Sequence, residues 1–98
     1  MKFIVAEKES VHGVLLVITD KNIMGKKFEE GQLQLDLTKD FYQGEEKMKE
    51  ELAPLFLKAR HLHLTGNDAV TLAVQLNYVI PERILRIGSI PHAQAVIG

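Results

Sequence analysis

The sequence predicts an α+β fold, a single two-layer domain over residues 1–98 with a mixed β-sheet and two main helices. Two observations lead to this prediction. The first part of the chain carries β-rich runs of period two, separated by turn residues. The last third carries a strand, an apolar helix and a second strand, which is typical of a βαβ unit. A chain of 98 residues is the size of one domain.

The N-terminal half predicts a β-hairpin and one further strand. Lys2–Glu7 and Val14–Thr19 are β-rich, and the polar stretch between them ends in Gly13, so we expect antiparallel strands joined by a loop. Val14–Ile18 is apolar on both faces, which predicts a central strand. Lys26–Gly31 is polar and predicts an irregular loop. Gln32–Thr38 alternates, which predicts a half-buried strand whose three leucines face the core.

The first helix is predicted over Glu45–Arg60, because apolar residues recur there at helical spacing. These residues are Met48, Leu52, Leu55, Phe56 and Ala59. Pro54 removes one backbone hydrogen bond and crowds the preceding turn, so we expect a kink or a break near Glu50–Ala53.

The second helix is predicted over Ala69–Asn77, with Thr65 or Asn67 as its N-cap. His61–Leu64 before it and Arg83–Ile87 after it read as strands, so the three elements predict a C-terminal parallel βαβ unit. This region carries few charges, and we expect it to supply much of the core.

Composition excludes several classes of function. The chain has no cysteine, which excludes disulfides, thiolate nucleophiles and Cys-based zinc sites. The formal net charge of −1 provides no global basic field, so nucleic-acid binding would need a local patch. No signal peptide is visible, and the longest uncharged stretches fall short of the about 18 apolar residues of a membrane span. We therefore expect a cytoplasmic protein that does not cross a membrane.

Two segments are candidate ligand-binding sites. Gly66 and Asn67 lie in a strand-to-helix turn whose free N–H groups could hold an anion, although the same groups would need a cap in any case. Gly88 and Pro91 set a bend after a predicted strand, and His92 and Gln94 supply hydrogen-bonding side chains in the otherwise apolar C-terminal segment, residues 88–98. The alternative is that this segment binds no ligand and only packs on the rest of the domain, with Ala93–Ile97 adding a strand.

Catalytic and metal chemistry have little support. His61 and His63 stand two apart on a predicted strand and could chelate a metal with His92, but no carboxylate lies in this segment to complete the site. Neither Ser10 nor Ser89 sits in a nucleophile elbow. We predict no metal, no cofactor and no catalytic residue.

Four segments, in this order and over nearly the whole chain, resemble the archaeal domain-of-unknown-function family 424. They are Met24–Gly31, Phe41–Gly44, Thr65–Val70 and Ile87–Gln94, and the P-H-A-Q ending of the last is the most distinctive. The resemblance implies an α/β-type fold and an archaeal, cytosolic setting, and it implies no activity.

The leading hypothesis for function is a non-enzymatic binding module, a candidate partner of RNA or of a ribonucleoprotein. The alternative is a small-ligand-binding protein or an enzyme that uses the Gly66 turn and the Pro91–Gln94 segment. A third interpretation is a homo-oligomer formed through the uncharged C-terminal region.

Overall fold

A computed structural model describes residues 1–97 of the chain; Gly98, the last residue of the predicted domain, lies outside them. The strands are β1 (Lys2–Ser10), β2 (Gly13–Asp20), β3 (Lys27–Glu30), β4 (Leu33–Asp36), β5 (Glu45–Met48), β6 (Ala59–Thr65), β7 (Leu85–Ile87) and β8 (Ile90–Val96). The helices are α1 (Ala53–Lys58) and α2 (Asn67–Gln75). Single 3-10 turns occupy Lys21–Ile23, Asp40–Tyr42, Lys49–Glu51 and Pro81–Arg83.

Six strands form one sheet in the order β5-β1-β2-β6-β8-β7, and β3 and β4 form a separate hairpin. β2 and β6 pair in parallel, whereas the other neighbours in the large sheet pair antiparallel. The predicted α+β class, with a mixed sheet and two helices, is therefore confirmed. The N-terminal hairpin and the central position of β2 are confirmed as well, because β2 has a partner on each side.

The predicted C-terminal βαβ unit is not confirmed as a pair of neighbouring parallel strands. β8 lies between β6 and β7 and pairs antiparallel with both of them. The C-terminal segment thus folds back through a tight turn and inserts a strand between the two strands that α2 connects. The short β7 reaches only as far as His92 of β8, which leaves Ala93–Val96 paired with β6 alone.

The main core lies between the sheet and the two helices. Strand residues such as Phe3, Leu16 and Leu62 pack there against Phe56 of α1 and Ala73 of α2, and all five are buried. A strand turns alternate side chains to opposite faces, so the neighbours of these residues in sequence face away from the helices.

A second, smaller core lies on that opposite face. Leu35 and Leu37 of the β3–β4 region pack there on Ile87 of β7 and on Ile23. The small hairpin therefore covers the β7 end of the sheet, a partial layer beyond the two that the sequence predicts. Phe41 and Tyr42 of the 3-10 turn Asp40–Tyr42 lie over His63 on the same face.

Three local predictions are wrong. Glu45–Met48 is an edge strand paired with β1, so the first helix comprises only Ala53–Lys58, and Pro54 lies in its first turn, where its missing N–H costs nothing. The predicted loop over Lys26–Gly31 contains β3. Leu33 is 43% exposed, and only Leu35 and Leu37 of the three leucines face a core.

No helix in residues 1–97 is both long and apolar enough to cross a membrane.

Candidate functional site

The strand-to-helix turn at Gly66 already holds a negative charge from the chain itself. Asp20, at the end of β2, is buried, and its carboxylate accepts hydrogen bonds from the backbone N–H groups of Asp68 (2.9 Å) and Ala69 (2.8 Å). These are the N-terminal N–H groups that a helix leaves free. Burial raises the pKa of Asp20, while the two hydrogen bonds act in the opposite direction.

Gly66 is needed for this contact. Its φ of 112° is strained for any residue with a side chain, and a Cβ at this position would collide with the Asp20 carboxylate. Gly66 itself is the N-cap residue, so the prediction that Thr65 or Asn67 caps α2 is wrong. The carboxylate fills the place where an external anion would bind, so the predicted anion site has no support here.

The other predicted site residues fall into two recesses. Gly88 and Ser89 have φ values of 55° and 70° and form the two-residue turn between β7 and β8. Pro91 and Asn67 line a groove of about 230 Å³ between α2 and β8, together with Arg86; we call it the α2–β8 groove. His92 and Gln94 belong to the opposite face of the sheet, because side chains alternate along β8.

His92 is the centre of a buried polar network on that face. Its Nδ1 lies 3.0 Å from Oγ1 of Thr65, and its Nε2 lies 3.4 Å from Nε2 of Gln94. Thr65 is fully buried and His92 is 8% exposed, whereas Gln94 is exposed. His63, paired with Gln94 across the strands, packs its ring edge-on against His92 with centroids 4.4 Å apart.

Aromatic rings cover His63 from the outside. Phe41 and Tyr42, from the 3-10 turn Asp40–Tyr42, place their ring centroids 4.8 and 5.9 Å from that of His63. Nε2 of His63 is buried and has no hydrogen-bond partner among the described residues. Burial, and to a lesser degree the neighbouring His92, lower the pKa of His63 from 6.5 to about 4. Burial lowers the pKa of His92 too.

Beside this cluster the sheet opens into a cleft of about 650 Å³, which we call the histidine cleft. It is lined by Leu15, Phe41, His61, Leu62, His63, Arg83, Gln94, Ala95 and Val96. His61 also lines an adjoining recess with His12 and Arg60. None of the described residues that line these two recesses is acidic.

Three cations border these recesses. Lys8 lies over the ring of Phe41, with Nζ 5.2 Å from the ring centroid. Within residues 1–97, Lys8, Arg60 and Arg83 take part in no salt bridge, and the same holds for Lys26, Lys39, Lys49 and Arg86 elsewhere in the chain. A chain with a net charge of −1 thus carries a local basic patch, made of these three cations and the histidine cleft.

Comparison with known proteins identifies the family of this chain. The model of a family described as a protein of unknown function (DUF424) matches residues 8–97. The chain belongs to the DUF424 family. A solved structure of an uncharacterized conserved protein from Methanopyrus kandleri has the same fold, with a TM-score of 0.84 and 18% sequence identity over 99% of this chain and 92% of that one. No curated protein matches the sequence.

Metal binding gains no geometric support in this DUF424 chain. His61 and His63 do share a face of β6, as their spacing predicts, and His63 contacts His92. Residues 1–97 nevertheless contain no group of three or more His, Cys, Asp or Glu side chains that could hold a metal ion.

Sequence reasoning missed several residues of the site. Phe41, Lys8 and Arg83 come from separate parts of the chain, and each of them reads locally as part of an ordinary polar segment. Asp20 reads locally as a strand terminator, and its carboxylate reaches a helix N-terminus 49 residues away. The one available signal was the Phe41-Tyr42 pair within a polar stretch, since adjacent aromatic residues there need a surface to cover.

Proposed function

We propose that this DUF424 protein is a non-enzymatic binding module that holds single-stranded RNA on the open face of its sheet, over the histidine cleft. The observation that carries the proposal is the local basic patch, whose lining among the described residues includes no acidic side chain. Phosphate groups supply most of the affinity of RNA for proteins, and they need unpaired cations such as Lys8, Arg60 and Arg83. The proposed location is the cytoplasm.

The shape and chemistry of the cleft also suit an unpaired base. Single-stranded bases are held by stacking on aromatic, histidine or arginine planes and by hydrogen bonds to their edges. The histidine cleft offers Phe41 and His61 for stacking, Gln94 for hydrogen bonding and Arg83 for a phosphate. The two histidines with lowered pKa values are neutral at pH 7, so the permanent charges come from lysine and arginine.

The alternative, one small-ligand site shared by the Gly66 turn and Pro91–Gln94, has less support. The Gly66 turn is filled by Asp20, and Pro91 and Gln94 line different recesses. Among residues 1–97, no carboxylate side chain lines the histidine cleft and Nε2 of His63 is buried, so no pair of accessible acid and base side chains converges there.

The test measures fluorescence anisotropy of labelled eight-nucleotide RNA at about 50 mM salt and across a salt titration. Arg83→Ala should weaken binding several-fold and make the slope of log K against log salt shallower by about 0.7, the value for one phosphate contact on a single strand. Arg86→Ala is the matched control, because Arg86 is also exposed but lines the α2–β8 groove. Absence of binding at low salt, or equal effects of both variants, would contradict the proposal.

Stacking is tested at Phe41. Phe41→Leu should weaken binding by about 5- to 150-fold, since a stacked base contributes about 1 to 3 kcal/mol. Phe41→Tyr keeps the ring and should bind as the wild type does. Because Phe41 also packs on Tyr42 and His63, the melting temperature of each variant is measured in parallel.

A further inference from the structure

We propose that the recess beside the β1–β2 turn binds a phosphate monoester, and that the RNA held in the histidine cleft places a terminal phosphate there. The recess is lined by Val11, His12, Gly13, Arg60 and His61, and we call it the hairpin recess. Its volume is about 480 Å³, and it shares His61 with the histidine cleft. The second part of the inference rests on the proposed RNA binding, whereas the phosphate site itself does not.

A β-bulge directs Arg60 to the hairpin recess. Val14 of β2 pairs with Ala59, and Leu15 pairs with His61, so Arg60 is an extra residue between the two pairs. Neighbouring residues of a regular strand face opposite sides of the sheet. Arg60 and His61 nevertheless line the same recess, which follows from the bulge.

Gly13 leaves the space that the Arg60 side chain occupies. Its φ is 103°, and a Cβ at this position would lie 2.5 Å from Cγ of Arg60, closer than real contacts allow. The backbone of Arg60 is held as well, because its oxygen accepts a hydrogen bond from the N–H of Ile97 at 2.7 Å. The first part of the Arg60 side chain therefore lies across the hairpin turn, and its guanidinium forms no salt bridge within residues 1–97.

The hairpin loop brings His12 to the same recess. The hydroxyl of Ser10 donates to the oxygen of Gly13 at 3.1 Å and accepts from the N–H of His12 at 3.1 Å, so hydrogen bonds order the loop. Glu9 precedes the loop in sequence but does not line the recess, and none of the described lining residues is acidic. A guanidinium and two imidazoles thus share a recess whose described lining holds no carboxylate.

These groups suit a phosphate monoester better than the diester of the RNA backbone. A monoester carries about −1.5 to −2 charges at pH 7 and three free oxygens, whereas a diester carries a single charge and two free oxygens. An arginine fork can bind two of the oxygens, which leaves the third for an imidazole N–H. The recess also lies where the hairpin ends and Val11 is 95% exposed, so a strand that crosses the histidine cleft can end there.

The first test uses inorganic phosphate alone and the imidazole C–H resonances of the four histidines. At constant pH and ionic strength, phosphate should shift the resonances of His12 and His61 saturably and leave those of His63 and His92 unchanged. Chloride should shift none of them. Arg60→Gln keeps most of the side chain and removes its charge, so the saturable shifts should be lost. Linear shifts, or saturable shifts that persist in Arg60→Gln, would mean an adventitious ion only and would overturn the site.

The second test compares eight-nucleotide RNA with a 5′-phosphate, with a 3′-phosphate and without a terminal phosphate, by anisotropy at about 50 mM salt. One of the phosphorylated strands should bind about tenfold more tightly than the unphosphorylated strand, as expected for one hydrogen-bonded contact to a charged group. Arg60→Gln should remove this ratio, and His12→Ala, a second variant in the exposed loop, should lower it. Arg83→Gln is the matched control, because Arg83 lines only the histidine cleft; it should weaken all three strands and keep the ratio.

The outcomes separate this inference from the proposed function. If no strand binds but inorganic phosphate does, RNA binding is wrong and the phosphate site stands. If all three strands bind equally and phosphate shifts no histidine resonance, RNA binding stands and the phosphate site is overturned. If phosphate binds and the three strands still bind equally, the site takes a free phosphate compound, and the placement of the RNA end is overturned.

Discussion

Acidification from pH 7.5 to 4.5 should destabilise the domain through His63. The ring of His63 lies under Phe41 and Tyr42 and against His92, and its buried Nε2 has no partner among the described residues. A proton added there would create a buried charge without an acceptor, next to a second imidazole. Burial of the ring, and to a lesser degree the neighbouring His92, lower the pKa of His63 from 6.5 to about 4.

The sign of the effect follows from proton uptake. Between pH 6.5 and about 4 the unfolded chain binds a proton at His63 that the folded chain does not bind, so stability falls as the pH falls. The stabilisation that neutral His63 provides is complete above pH 6.5, the pKa in the unfolded chain. It is lost as the pH falls towards about 4, the pKa in the folded chain. We expect the free energy of unfolding to fall by about 2 kcal/mol. This is less than the full linkage value of the shift, because the ring is partly solvated. The lowered pKa of His92 acts in the same direction.

Urea denaturation at several pH values between 7.5 and 4.5 measures the effect, with His63→Phe as the comparison. Phenylalanine keeps the aromatic packing and cannot be protonated, so the variant should lose about 2 kcal/mol less than the wild type over this range. The raised pKa of Asp20 favours the folded state in acid, and it cancels in this difference. His12→Asn, in the exposed β1–β2 loop, leaves the His63–His92 pair intact and should behave as the wild type. Parallel loss of stability in the wild type and His63→Phe would refute the reasoning.

Three further predictions are tested by urea denaturation at pH 7. Gly66→Ala should cost about 3 kcal/mol, because alanine is strained at this φ and its Cβ meets Asp20; a cost below about 1 kcal/mol would contradict this. Asp20→Ala should cost about 2 kcal/mol, since it leaves two N–H groups of α2 without a partner, and no loss would mean that water replaces the cap. Leu37→Ala should cost about 2 to 5 kcal/mol and Leu33→Ala less than about 0.5, and equal costs would contradict the assignment of their faces.

Elements whose own side chains determine their structure were predictable. The apolar run Val14–Thr19 lies inside β2, His61–Leu64 lies inside β6, and Ala69–Asn77 overlaps α2 with ends shifted by two residues. Each of these segments contributes several buried apolar side chains, so hydrophobicity and periodicity report the structure directly. The mixed sheet was predicted from a parallel pairing of β6 with β7, whereas the parallel neighbours are β2 and β6.

Glu45–Met48 shows why the rest was not predictable. Its charged residues and the following Leu52 and Phe56 continue a helical pattern, and these two residues are indeed buried. The segment is nevertheless a strand, because pairing of Lys2 with Met48 and of Val5 with Glu45 satisfies its backbone. An edge strand exposes most of its side chains, so the pattern of the segment itself carries little information about the partner.

Some residues of the candidate site could be predicted from the sequence, and others could not. His92 and Gln94 stood out because they are polar in an apolar segment, and both lie on the face that carries the histidine cleft. The rings and cations around them come from β1, the turn after β4 and the turn after α2, and only the folded sheet brings them together. The sequence alone does not show which residues from these separate elements come into contact.

The four residues of the P-H-A-Q ending therefore have different environments. Pro91 and Ala93 face the helices, where Pro91 lines the α2–β8 groove and Ala93 belongs to the main core. His92 and Gln94 face the other way, and only Gln94 is exposed. β7 pairs with β8 no further than His92, and the side chains on this face change from buried at His92 to exposed at Gln94. A buried histidine hydrogen-bonded to an exposed amide at this boundary is an arrangement that packing alone does not require, and it is the reason to look for a ligand at Gln94.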